Sequence, residues 1–237
     1  MRRKRRFALL LALLLLSTLL SGCSGKTTTD TIKIGSIHPL TGSMAYEGQA
    51  MVNAQRIAID KINAEGGING RMLELVVRDS LGTPSGAANA TLKLTNSGVV
   101  ALTGTYTSSS AQVVSRTAEK TRIPLVITVA ASDNLLSNGY HYTFRVQPSV
   151  SVFSKNFLQY LSYFKTEDMQ TVAFIYENSN YGTGIAEYIQ DHIDETGLRI
   201  VGMLAYPATT SPLSSEVTRL AALAPDWLVP IGYYSDQ

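Results

Sequence analysis

Three consecutive serines, Ser108, Ser109 and Ser110, follow Gly104-Thr105-Tyr106-Thr107 and lead straight into a helical stretch beginning near Ala111. A helix start exposes unpaired backbone N–H groups at the positive end of its dipole, and hydroxyls add donors without burying a charge. The segment therefore suits a carboxylate. One serine would be enough to cap the helix, so capping and binding stand as alternative uses of the run. Asp133, in Ala130-Ala131-Ser132-Asp133, is the acidic candidate to face an ammonium group, the alternative being an exposed turn aspartate. Tyrosines close the set: Tyr46 in the loop that opens with His38-Pro39, Tyr181 before Gly182, Tyr206, and Tyr233 with Tyr234 after Gly232. At a cleft mouth a tyrosine offers an apolar face and a polar tip to a small amphiphilic ligand.

The elements that must position these residues alternate. Apolar runs at 32–37, 73–78, 99–102 and 124–129 read as strands, separated by stretches of helical period, which is the pattern of an α/β fold with a parallel sheet. Met51, Ala54, Ala58 and Ile62 predict one helix face, ended by Gly66-Gly67, and Thr83-Pro84 predicts an N-cap and first helical residue of a helix running to Asn96. Gln147-Pro148 marks a boundary, because the residue before proline is pushed out of helical geometry. A second series follows, with a helix face on Phe153, Phe157, Leu161 and Phe164, a strand over 171–176, a helix on Ile185, Ile189 and Ile193, a strand over 199–206, a helix from Ser211-Pro212 and a last strand over 227–231. The chemistry-bearing residues all fall just after strands, where ligands bind in open α/β sheets.

Other chemistries lack their residues. There is no G-x-S-x-G elbow, no G-x-x-x-x-G-K-[ST] loop and no G-x-G-x-x-G after a strand. His38, His141 and His192 are scattered and the one cysteine, Cys23, has no partner, so neither a zinc site, a disulfide nor a cofactor is expected. An α/β hydrolase with Ser108 as nucleophile needs a base within hydrogen-bond reach, and no histidine or lysine is placed by sequence to serve.

The 237 residues carry a formal charge of +2, but five cations sit in the opening hexapeptide, leaving the rest at −3. Without a basic stripe, nucleic acid is not an expected partner. The basic start, the apolar run 7–20 and the small residues Ser21 and Gly22 read as an export signal over 1–22. Leu20-Ser21-Gly22-Cys23 resembles the bacterial lipobox, which implies cleavage before Cys23, lipidation of that residue and a polar tether over 23–31.

Three segments together carry a family resemblance: Ile34-Gly35-x-x-x-Pro39-Leu40-Thr41-Gly42, the stretch Ile62-Asn63-Ala64-Glu65-Gly66-Gly67-Ile68-Asn69-Gly70-Arg71, and the Ser108 to Ser110 loop. They resemble the type I periplasmic binding proteins of the leucine/isoleucine/valine class, the solute receptors of ABC importers. The resemblance implies a two-lobed fold with parallel-sheet, Rossmann-like lobes over 32–148 and 149–237, which closes on a small amino acid, amide or acid and docks on a membrane permease. It further implies ligand contacts at Ser108, Ala130, Ser132 and Tyr181, the last in Tyr181-Gly182-Thr183-Gly184, and at Tyr233 or Tyr234, between which the register does not choose. Tyr46, Ser109 and Asp133 complete the candidate set. The loop at 128–133 departs from the family's usual Ser-Pro-x-Ala-Thr-Asn. The second lobe is expected to be incomplete, with the protein truncated at its carboxyl end, monomeric, with weak or absent binding, and its location extracytoplasmic and lipid-anchored. A sensory receptor of the same fold is the alternative role.

Overall fold

The computed structural model describes residues 31–208 and 212–236. The leader, Cys23 and nearly all of the tether lie outside those residues. Five strands make the first sheet: β1 (Ile32–His38), β2 (Leu73–Asp79), β3 (Ala101–Gly104), β4 (Leu125–Ile127) and β5 (Thr143–Arg145). They are parallel throughout, in the order β2-β1-β3-β4-β5. That order reverses direction between β1 and β3, which places the crevice outside the carboxyl ends of those two strands.

Three helices cross over in this unit: α1 (Ala45–Ala64), α2 (Pro84–Thr95) and α3 (Ser108–Thr121). The sequence explains their ends. Thr83 accepts the Gly86 N–H at 3.0 Å, with Pro84 at the first helical position, as expected. The α3 helix begins three residues earlier than its periodicity suggests, because Thr107 is the cap and accepts the Ser110 N–H at 3.2 Å. Ile37, Leu94, Leu102, Val114, Leu125 and Ile127 meet in a buried core between the sheet and the α2/α3 layer.

The α1 face differs from the expected one. Ala54 and Ala58 are exposed, while Gly48 and Val52 are buried and Gln55 turns inward. The reason lies in the strand opposite: β1 presents Ser36 and His38 to this helix, and β3 presents Thr103. Gln55 accepts from Ser36 Oγ at 2.6 Å and reaches His38 Nε2 at 2.9 Å and Thr103 Oγ1 at 3.2 Å. A polar sheet face requires a polar partner, so the aliphatic periodicity of α1 misreports its buried side.

The second sheet has three parallel strands, β6 (Thr171–Glu177), β7 (Arg199–Tyr206) and β8 (Trp227–Ile231), in the order β7-β6-β8. With them run α4 (Val150–Phe164), α5 (Asn180–His192) and α6 (Ser214–Ala221). One core joins Leu158, Leu161, Val172, Phe174, Ile189 and Ile231; the other sheet face packs Ala173, Ile175 and Tyr206 on Leu220. The buried side of α4 is Val150, Ser154, Leu158 and Leu161 rather than the expected phenylalanine stripe, and Phe164 stands half exposed. The sequence carries no signal for β5, because three residues with one apolar member give no period. Ser211, the expected start of the α6 helix, lies outside the described residues.

Candidate ligand-binding cleft

A cleft of about 410 Å³ opens where the loops after β3, β4 and β8 meet the amino-terminal parts of α4 and α5. Its polar end is the first turn of α3. Thr107 takes over the capping, so the Ser108 hydroxyl is left to serve elsewhere: it accepts the Ser132 backbone N–H at 3.2 Å. Ser108 lines the cleft and is almost fully buried. Of the two other serines, Ser110 is tied to Thr107 Oγ1 at 2.8 Å and Ser109 does not line the cleft.

The loop after β4 is pinned from three sides. Ala130 N–H reaches Thr105 O at 3.2 Å, and Val150 N–H reaches Ala131 O at 2.8 Å. Arg145 Nη1 donates to the carbonyls of Ala131 at 2.9 Å and Ser132 at 2.8 Å. Ala130 and Ala131 thus line the cleft as rigid backbone, whereas Ser132 is buried just behind them with its hydroxyl on Asn134.

Asp133 sits elsewhere than expected. It is exposed, lies outside the lining, and both its oxygens accept from Ser151, one from the N–H at 3.0 Å and one from the hydroxyl at 2.8 Å. That makes it a cap for the start of α4, on the segment that joins the two sheets, rather than a group facing the cleft.

From the β6–β8 unit come Tyr181, Tyr233 and Tyr234. Tyr181 is placed by a local device. Glu177, fully buried at the end of β6, accepts the Ser179 N–H and the Gly182 N–H, each at 2.6 Å, and the Ser179 hydroxyl at 2.8 Å. A carboxylate at the amino end of α5 meets the positive pole of that helix. Glycine is required at 182 because a Cβ there would stand 2.1 Å from the Glu177 carbonyl oxygen and 2.9 Å from its carboxylate. The structure also separates the two tyrosines after β8. Tyr233 is buried between Tyr106 and Tyr181, with ring centroids 5.3 and 5.5 Å away, and its N–H donates to Asp236 at 2.8 Å. Tyr234 lines the mouth, 67% exposed, with its ring 6.3 Å from that of Tyr46, which is itself exposed and outside the lining.

Sequence reasoning overlooks Tyr106, Gln147, Phe153 and Phe157 as lining residues. Tyr106 stands within the serine loop, and its place after β3 is a signal that could have found it. Phe153 and Phe157 fit a core stripe by their period, yet both line the cleft while Val150, Ser154, Leu158 and Leu161 form the buried side of α4. Burial is the first cause that pushes the phenols of Tyr106, Tyr181 and Tyr233 upward, that of Tyr106 to about 12; the next is a carboxylate charge, Glu47 for Tyr106 and Glu177 for the other two. The lining among the described residues includes no Asp, Glu, Lys, Arg or His.

No group of acidic, histidine or cysteine side chains fit to hold a metal occurs among the described residues, and no helix there is long and apolar enough to cross a membrane. Two parallel α/β sheets thus flank one cleft, the arrangement in which open α/β folds bind ligands. The chain matches the family described as Periplasmic binding protein over residues 31–236, and it belongs to that family. It is 29% identical over 227 residues to the Leu/Ile/Val-binding protein homolog 8 of Brucella suis biovar 1, covering 93% of this chain and 56% of that protein. Among solved structures it is similar to the branched-chain amino acid transporter substrate binding protein LivJ of Streptococcus pneumoniae in complex with isoleucine, at 30% identity and a TM-score of 0.79, covering 86% of this chain and 58% of that one. A fatty acid ABC transporter substrate-binding protein from Thermomonospora curvata is 26% identical with a TM-score of 0.75, covering 87% and 52%. The chain spans about half the length of the relatives it matches.

Proposed function

We propose that the chain belongs to an extracytoplasmic, lipid-anchored receptor that captures a small carboxylic acid, either an amino acid or a related acid, by closing its two units over the cleft and delivers it to an ABC importer permease. The observation that carries this reading is the pairing at the cleft's polar end. The Ser108 hydroxyl lies at the amino end of α3 with no cation among the lining residues, and the remainder of the wall is largely tyrosine, phenylalanine and aliphatic. A carboxylate bound there is held by backbone N–H groups and hydroxyls, and its apolar body lies on Phe153, Phe157 and Ile185. Isoleucine bound to the pneumococcal relative supports the ligand class.

The test is a thermal-shift and calorimetric titration of the protein from Cys23 onward with leucine, isoleucine, valine, benzoate and short fatty acids up to millimolar concentration. Binding only to the folded state stabilises it by RT ln(1 + [L]/Kd), about 2.7 kcal/mol at a hundredfold excess over Kd. The expected outcome is a weak, saturable shift with at least one acid that Ser108→Ala abolishes. If no acid shifts the transition, or if Ser108→Ala leaves the shift intact, the reading fails. The anchor is tested by Cys23→Ser, which is expected to move the exported protein from the membrane fraction to the soluble one.

A further inference from the structure

Buried side-chain polar atoms without a hydrogen-bond partner occur at several places among the described residues, and two of them, the hydroxyls of Ser154 and Tyr233, belong to residues that line the cleft. Tyr233 belongs to the cleft's polar end. Burial and then the Glu177 charge push its phenol up, and the Ser179 hydroxyl and the Ser108 N–H act on it in the opposite sense. Ser154 lies elsewhere. It is on α4, between Phe153 and Phe157 in sequence, and only 1% exposed. A buried serine in a helix has a ready partner, the carbonyl four residues back. Thr91 in α2, equally buried, uses it at 2.7 Å, and Ser162, in the same helix as Ser154, uses it at 3.0 Å. The Val150 carbonyl is the corresponding partner for Ser154 and takes no bond from its hydroxyl.

Backbone contacts connect this hydroxyl to the polar end. The Ser108 hydroxyl holds the Ser132 N–H, and the preceding residue, Ala131, accepts the Val150 N–H at 2.8 Å, so α4 starts beside the loop that Ser108 holds. Ser154 is four residues further along, about 6 Å at the rise of a helix. A hydroxyl buried without a partner costs folding free energy, and a serine hydroxyl can both donate and accept. We propose that Ser154 is a second polar anchor of the cleft, one that pairs with a hydroxyl or carbonyl on the body of the bound acid. The receptor then selects acids that carry an uncharged hydrogen-bonding group several bonds away from the carboxylate held at Ser108. This deepens the acid-binding reading above and rests on it.

Three pairs of acids test the anchor: 4-hydroxybutanoate with pentanoate, 5-hydroxypentanoate with hexanoate, and 6-hydroxyhexanoate with heptanoate. Within each pair a methyl replaces the hydroxyl and the shape is kept. Affinities for the protein from Cys23 onward are read by ligand-observed NMR, which reports weak binding. At the length that reaches Ser154 the hydroxy acid is expected to bind at least as tightly as its methyl counterpart, although a methyl is the better group for an apolar wall. Ser154→Ala is expected to weaken that hydroxy acid about fivefold, the worth of one neutral hydrogen bond, and to leave the methyl acid within about twofold. Without ligand, the thermal midpoint of Ser154→Ala should equal or exceed the parent's, because the variant removes an unpaired group. A midpoint lower by about 2 °C or more would show the hydroxyl already bonded within the fold and overturn the proposal. Tighter binding of the methyl acid at all three lengths, or equal weakening of both members of a pair by Ser154→Ala, overturns it too and leaves the acid-binding reading standing. If none of the six acids binds, both readings fall together.

Discussion

The Ser108 hydroxyl accepts the backbone N–H of Ser132 at 3.2 Å, across 24 residues of sequence, and so ties the loop after β3 to the loop after β4 at the floor of the cleft. The bond is buried, and a buried amide left without its acceptor costs more than the bond itself contributes. Ser108→Ala is accordingly expected to cost about 1–2 kcal/mol and to lower the thermal midpoint by about 2–8 °C. Ser108→Thr, which keeps the hydroxyl, should recover most of the midpoint. Differential scanning calorimetry of the three proteins checks this independently of any ligand.

Gly182 is enclosed by Glu177, with a Cβ position 2.1 Å from that residue's carbonyl oxygen. Gly182→Ala must push the amino end of α5 away from β6, costing about 2 kcal/mol, in the range of overpacked sites. Urea unfolding followed by far-UV circular dichroism should show a lower midpoint at an unchanged slope. Gly184→Ala serves as the control, since its nearest neighbour is a Val150 methyl at 3.5 Å, an ordinary contact.

His38 is fully buried under α1, and burial is the main cause that pulls its pKa from 6.5 down to about 4, against the raising effect of the Gln55 hydrogen bond. Between those two values the unfolded protein binds a proton on this residue and the folded protein does not. Stability rises with pH across that window: the neutral imidazole's contribution is complete above about pH 6.5 and is lost as pH falls toward 4, by up to about 3 kcal/mol. His38→Gln keeps an acceptor for Gln55 and removes the titration. The expected result is a flatter stability profile between about pH 7 and about pH 4.5 than the parent shows, measured by denaturant midpoints across that range.

Asp133 caps the start of α4 through Ser151, so Asp133→Ala should destabilise the fold by about 1 kcal/mol, as the loss of a capping residue does, and a thermal melt reads the change. It should leave the order of ligand preference unchanged. A selective loss of ligands bearing an ammonium group would instead return this aspartate to the binding role that the sequence suggests.

Much is legible from residues alone because it depends on local physics. Alternation of apolar runs and helical periods specifies the α/β class, Thr83-Pro84 specifies a helix start to the residue, and Ile185, Ile189 and Ile193 specify a buried face. The serine loop, Ala130 and Tyr181 are identifiable because ligand sites in such sheets lie at strand ends, and that property is already set by the order of elements. What tertiary structure alone decides is how the buried polar groups are shared out. Capping by Thr107 rather than by the serines frees Ser108, and Gln55 turns inward because Ser36, His38 and Thr103 come together only once β1 and β3 pair. Tyr233 is the enclosed tyrosine and Tyr234 the exposed one because Tyr106 and Tyr181, from distant segments, close on the Tyr233 ring, whereas Tyr234 stands at the mouth near the exposed Tyr46. Phe153 and Phe157 belong to the cleft for the same reason. Periodicity tells which residues share a face, but the face acquires its partner only when distant segments meet.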